Sequence, residues 1–210
     1  MKRLVFFFLY FSEGAPIGFI WWALPAILAT YDFSVQEIAK ISAIAVLPWT
    51  LKFLMAPFVD IISMHLVRLK KQVFFYQILM GISIYFIQDA ILSKDPKLIL
   101  LVLLTHGFFA ALQDVCVDAL AIRNIAEKDR GKINGIMQAG MLFGRSLLGG
   151  AGVFVAHKFG LSLLVYFLIS SIWISLIILQ KTNFKVTASE AVPVKKYALD
   201  FYDLAKQPIF

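Results

Sequence analysis

Glu13, Lys52, Asp114, Asp118 and Arg145 each carry charge inside stretches that are otherwise apolar. A charged side chain at the centre of a membrane-spanning helix costs roughly 2.5–3.5 kcal/mol on the insertion scale, so a set of this size facing lipid would cost on the order of 12–17 kcal/mol. Pairing around a wet interior avoids most of that cost. The chemistry open to such a set is proton exchange at carboxyls, ion pairs that form and break, and the holding of an anionic solute. Asp114 and Asp118 are spaced i, i+4, so a helix puts both on one face, in line with Gly107 and Ala111. That face is expected to look at a partner cation or at water. A structural ion pair that only fixes helix packing is the plainer alternative.

The cations fit the same picture. Lys52 sits in LPWTLKFLMAPFVD between Pro48 and Pro57, and Glu13, Asp114 and Asp118 are the acids available to pair with it. Arg145 follows Gln138 by seven residues, nearly on one helix face, and its guanidinium is suited to hold Asp118 or an anionic substrate bidentately. Gln113, Gln138, His106 and Trp22 are secondary candidates for the same pathway. Trp21 and Trp22 offer rings that either stack on a sugar or pack against lipid. Asp60 and Arg68 bracket a loop at the end of the second span that continues into Lys70 and Lys71. Nothing in the chain has metal-ligand spacing, and neither HExxH nor GxSxG occurs. The glycines of the fifth apolar stretch are not followed by GK[ST]. No metal, no cofactor other than protons as a coupling ion, and no enzyme activity are expected.

The elements that must position these residues are membrane spans. The 210 residues are 60% hydrophobic with a mean hydropathy of +0.82, beyond what a soluble domain of this size carries. Stretches near the roughly 20 residues needed to cross a bilayer run approximately over 4–29, 38–59, 73–92, 97–122, 135–156 and 160–180. The class is an all-α membrane protein whose partner is the lipid bilayer. Its net charge of +7 follows from basic loops rather than from nucleic acid. Lys2, Arg3, Arg68, Lys70, Lys71, Arg123, Lys128, Arg130, Lys132, Lys181 and Lys185 fall on one side, which places both termini in the cytoplasm. The first stretch begins like a signal peptide but contains Glu13 and is followed by further spans, so it reads as an uncleaved helix. Cys116 is the only cysteine, so no intrachain disulfide exists.

Within the spans, Gly14 and Gly18 have GxxxG spacing, as do Gly140 and Gly144, which predicts close helix approach. Pro16 and Pro25 are expected to kink the first span. The third span, with Gln77 and Gln88, carries no strong site signal. The stretch RNIAEKDRGKIN reads as a charged loop. From Lys181 the composition turns polar and reads as a cytoplasmic linker over 181–210. YALDFYDLAKQ could form a short interfacial helix there, and the chain stops as if another apolar stretch were starting.

LPWTLKFLMAPFVD, ALQDVCVDALAI, EGAPIG, AEKDRG and the basic loop after Asp60 together resemble the major facilitator superfamily, and within it the branch of AmpG-type muropeptide permeases and acetyl-coenzyme A transporters. The resemblance implies a gating role for the loop between Asp60 and Arg68, although Ile61 after Asp60 departs from the superfamily's usual loop, where a basic residue and a glycine are expected. The resemblance implies the N-terminal half of a two-half fold, its missing C-terminal six-helix half being the partner that completes the cavity. It further implies a small-molecule substrate near the midplane and proton-coupled uptake across a bacterial inner membrane, with anhydromuropeptide as the leading cargo. Alternatives are a transporter of the same fold with another cargo, such as a coenzyme A thioester or peptide, and a non-transporting remnant or scaffold.

Overall fold

In the computed structural model, residues 2–65 and 68–184 are described, without the side chains of 61 and 63–65. The proposed interfacial helix and nearly all of the linker lie outside these residues. The described chain is helical throughout, and six of its helical segments are long and apolar enough to cross a membrane. They are α1 (Lys2–Thr30), α2 (Val35–Asp60), α3 (Leu69–Leu92), α4 (Pro96–Asn124), α5 (Glu127–Phe159) and α6 (Leu161–Gln180).

The prolines leave their mark where the sequence put them. Between Pro16 and Pro25, α1 widens into a π-helical turn over Phe19–Ala23, closed by the Leu24 N–H donating to the Phe19 carbonyl. Pro25 has no N–H to donate, and the wider turn accommodates the missing bond. α2 starts at a capping box, in which Ser34 Oγ accepts from the Glu37 N–H and Glu37 Oε2 accepts from the Ser34 N–H. It is not one continuous helix. An α-helical Val35–Ala45 is followed by Leu47–Thr50, a 3₁₀ turn over Lys52–Leu54 and a final helix from Met55 to His65. Pro48 and Pro57 flank that break, and Lys52 sits in it.

α5 corrects the sequence reading. Its 33 residues include most of RNIAEKDRGKIN, expected as a loop, and the span begins at Glu127 rather than near 135. Glu127 and Asp129 in the first turn complement the positive end of the helix dipole, and this charged turn extends the helix beyond its apolar part.

The spans run alternately up and down. At one end, Lys2 Nζ donates to the Asn124 carbonyl, Lys70 Nζ to the Gln180 and Thr182 carbonyls, and Arg123 pairs with Asp60. Lys94 and Asp32 pair at the other end. Lys2, Lys70 and Arg123, three of the basic residues used to orient the chain, thus gather at one end of the bundle. α1 is the central helix, buried along most of its length, with an apolar cluster on either side of its middle. One contains Phe19, Leu24, Met80, Leu103 and Leu168; the other contains Phe6, Leu9, Val73, Val117 and Ile133.

α1 and α5 lie parallel and in close contact. A Cβ on Gly14 would overlap the Met141 carbonyl, one on Gly18 the Arg145 carbonyl, one on Gly140 that of Phe7, and one on Gly144 that of Phe11. Both GxxxG pairs therefore meet in one interface, each making room for the backbone of the other helix. α2 is the opposite case and the least buried span, with Leu47, Phe53 and Phe58 exposed.

Candidate functional site

The residues singled out by charge converge halfway along the bundle, where α1, α2, α4 and α5 face one another. Asp114 on α4 forms an ion pair with Lys52 on α2, Nζ to Oδ2 at 2.8 Å. The pair is lopsided: the Asp114 side chain is 4% exposed and that of Lys52 is 48% exposed. Lys52 reaches the acid because the α2 helix breaks at this level. Above the pair, Pro48 and Trp49 of α2 pack over Gly107, where a Cβ would come within 2.9 Å of Pro48. The predicted stripe Gly107–Ala111–Asp114–Asp118 is thus divided. Its small residues are covered by protein and its aspartates are given to polar partners.

Asp118, one turn further along, has a different partner. Tyr10 of α1 donates its hydroxyl to Asp118 Oδ1 at 2.5 Å. Sequence reasoning passed over Tyr10, although it stands three residues before Glu13 and so on nearly the same helix face. Asp118 also borders a cavity of about 230 Å³ at the basic end, lined by Ala121, Ile122, Ile125, Arg130, Ile133, Asn134 and Met137. Glu13 is buried, and its Oε2 has no hydrogen-bond partner among the described residues. Asp114, Lys52, Asp118 and Arg145 are the charges acting on it. Three carboxyls and two cations therefore share one electrostatic neighbourhood.

Arg145 does not pair with Asp118, which was one of its two expected partners. Its guanidinium lies 5.2 Å from the ring centroid of Trp21, and Nη2 approaches Met141 Sδ at 3.0 Å. The α1–α5 backbone contact at Gly18 explains this, since it sets Arg145 one helical turn from Trp21 and directs it along α1. Nε is buried with no hydrogen-bond partner among the described residues. Trp22 packs an edge against Gly149 and leaves about half its surface (53%) exposed.

The secondary candidates separate. Gln113 is buried, with neither amide atom partnered among the described residues. Gln138 is exposed on α5. His106 is enclosed against α3, its Nδ1 3.0 Å from the Met80 carbonyl, and belongs to helix packing rather than to the charged cluster. Asp60 is held by Arg123 at 3.0 Å, a partner the sequence reading did not single out, and Arg68 is exposed at the start of α3.

The third span was expected to carry no site signal, yet it supplies a buried polar knot. Gln77 Nε2 donates to Ser12 Oγ at 2.6 Å, to the Ile172 carbonyl at 2.7 Å and to Ser175 Oγ. The Trp173 indole N–H donates to the Gln77 carbonyl. This knot fastens α1, α3 and α6 beside Glu13. Polar residues at mid-span in three separate apolar stretches were its only sequence signal.

The charged residues thus meet within a bundle of six helices apolar enough to cross a membrane, and no metal-ligand cluster occurs among the described residues. A family model described as Major Facilitator Superfamily matches residues 6–206. The chain belongs to the Major Facilitator Superfamily, whose members are secondary transporters.

Proposed function

We propose that the protein moves a small polar solute across the membrane by alternating access, coupled to protons. The observation that carries this reading is the Lys52–Asp114 pair, which ties the loosely packed α2 to α4 at the point where the α2 helix is broken. A proton on Asp114 removes the charge that holds Lys52. Glu13 and Asp118, which act electrostatically on the same site, are the carboxyls that would receive or pass that proton. α2 then loses its polar tie, and the balance between two arrangements of the bundle shifts. A neutral and an ionised carboxyl differ in their attraction for Lys52, and this difference is the coupling.

The basic end is assigned to the cytoplasm and the membrane to a bacterial inner membrane. The resemblance to AmpG-type permeases supports a second six-helix half as the opposite wall, and anhydromuropeptide as the cargo. Arg145 beside Trp21 and the open face of Trp22 suits that choice, since a guanidinium can take a carboxylate while an indole stacks on a sugar ring. The test is accumulation of labelled anhydromuropeptide, driven by an imposed pH gradient, in membrane vesicles from cells expressing the intact protein. Asp114→Asn should abolish gradient-driven accumulation. Unchanged accumulation removes Asp114 from the mechanism, and competition by a coenzyme A thioester or a peptide instead would reassign the cargo.

A further inference from the structure

Asp114 and Asp118 are equivalent in the sequence, and the fold makes them unequal. Asp114 is enclosed and tied to Lys52, whereas Asp118 takes a hydrogen bond from the neutral Tyr10 and opens on the cavity between α4 and α5. That cavity lies at the end of the bundle where Lys2, Lys70, Arg123 and Arg130 collect. Its volume, about 230 Å³, holds several waters at their liquid share of about 30 Å³ each. Among the described residues its wall is apolar apart from Asp118, Arg130 and Asn134, so Asp118 is the carboxyl they offer to water inside it. Deeper in, Glu13 keeps a carboxylate oxygen with no partner among the described residues, more than nine-tenths buried, and it feels both aspartates.

We infer that Asp118 is the carboxyl that exchanges protons with the basic side through this cavity, while Asp114 is the carboxyl whose charge holds Lys52. The inference rests on the proton-coupled reading and deepens it by dividing the labour between the two aspartates. The groups facing Asp118 are Tyr10 and Glu13 on α1, Lys52 on α2, Asp114 on its own helix and Arg130 on α5. Arg130 at the cavity wall donates to the Ile122 carbonyl at 3.3 Å, which holds its side chain against α4.

Side-specific labelling tests the assignment. Sealed membrane vesicles of both orientations, containing the intact protein, are treated with a membrane-impermeant carbodiimide and an amine. The protonated carboxyl adds to the carbodiimide, the amine displaces the resulting urea, and the carboxyl becomes an amide whose mass identifies the residue. Asp118 should be labelled several-fold faster than Asp114 or Glu13, and only when the basic end faces the reagent. Asn134→Trp, which fills the cavity from an exposed position, should slow Asp118 labelling and leave the surface carboxyls Glu127 and Asp129 unchanged as controls. Labelling of Asp114 or Glu13 ahead of Asp118, labelling of Asp118 from the opposite side, or none at Asp118 while the controls react, each overturns the assignment. The labelling pattern is read without transport, so the access route and the proton-coupled reading fail separately.

Discussion

Removing one member of the Lys52–Asp114 pair tests the site more sharply than any loss of activity, because the two members are so differently placed. At 2.8 Å and an effective dielectric near 20, the gross attraction is about 6 kcal/mol. Much of this is offset by desolvation, and water around the half-exposed lysine screens more of it, leaving a net coupling of about 2–3 kcal/mol. The single substitutions should not cost the same. Lys52→Met strands an ionised Asp114 in a site where its side chain is 4% exposed, a loss of about 3 kcal/mol, the lower end of the range for a broken buried pair. Asp114→Asn leaves Lys52, which turns its ammonium toward water at a cost of about 1 kcal/mol. The double substitution should recover most of the difference. Thermal unfolding of the purified protein in detergent, followed by tryptophan fluorescence, reads this as a fall of about 6–12 °C for Lys52→Met and about 2–4 °C for Asp114→Asn. A coupling near zero in the double-mutant cycle, or a larger loss for Asp114→Asn, would refute the reasoning.

Four further expectations come from packing. Gly14→Val places side-chain atoms on the Met141 backbone and should cost about 3 kcal/mol or more, read as lost folded yield; Gly131→Ala meets nothing within 4 Å and should stabilise α5 by about 0.4–1 kcal/mol, read as a raised Tm. Gln77→Leu strips the donors from Ser12, Ser175 and the Ile172 carbonyl, and a loss of about 2–3 kcal/mol is expected in the same unfolding assay. Trp21→Leu removes the ring under Arg145 and should cost about 0.5–2 kcal/mol, with Arg145→Met adding little more once the ring is gone; full additivity of the two would show that they do not interact.

The class of the protein and the presence of six apolar helices were legible in composition and hydropathy, although α5 starts earlier than its apolar run. Lipid cannot hydrogen-bond a backbone, so an apolar run of sufficient length has one stable outcome, and the charges inside such runs must find partners. That argument reached Glu13, Lys52, Asp114, Asp118 and Arg145 without any structure. It also reached the two glycine pairs, because only small residues permit the contact between α1 and α5. It misread RNIAEKDRGKIN, since charge is equally compatible with a loop and with a solvated first turn.

Tertiary structure alone decided who pairs with whom. Asp114 and Asp118 are alike in type and on one helix face, yet one faces a lysine brought near by a broken helix and the other faces a tyrosine on a different span. Arg145 was as well suited to Asp118 as to any anion, but the backbone contact at Gly18 turned it toward Trp21. Gln77 looked incidental until α1 and α6 brought Ser12 and Ser175 to it. An apolar run specifies that a helix crosses the membrane. Which side of it meets which neighbour depends on how all the spans pack together, and the periodicity of one span does not contain that information.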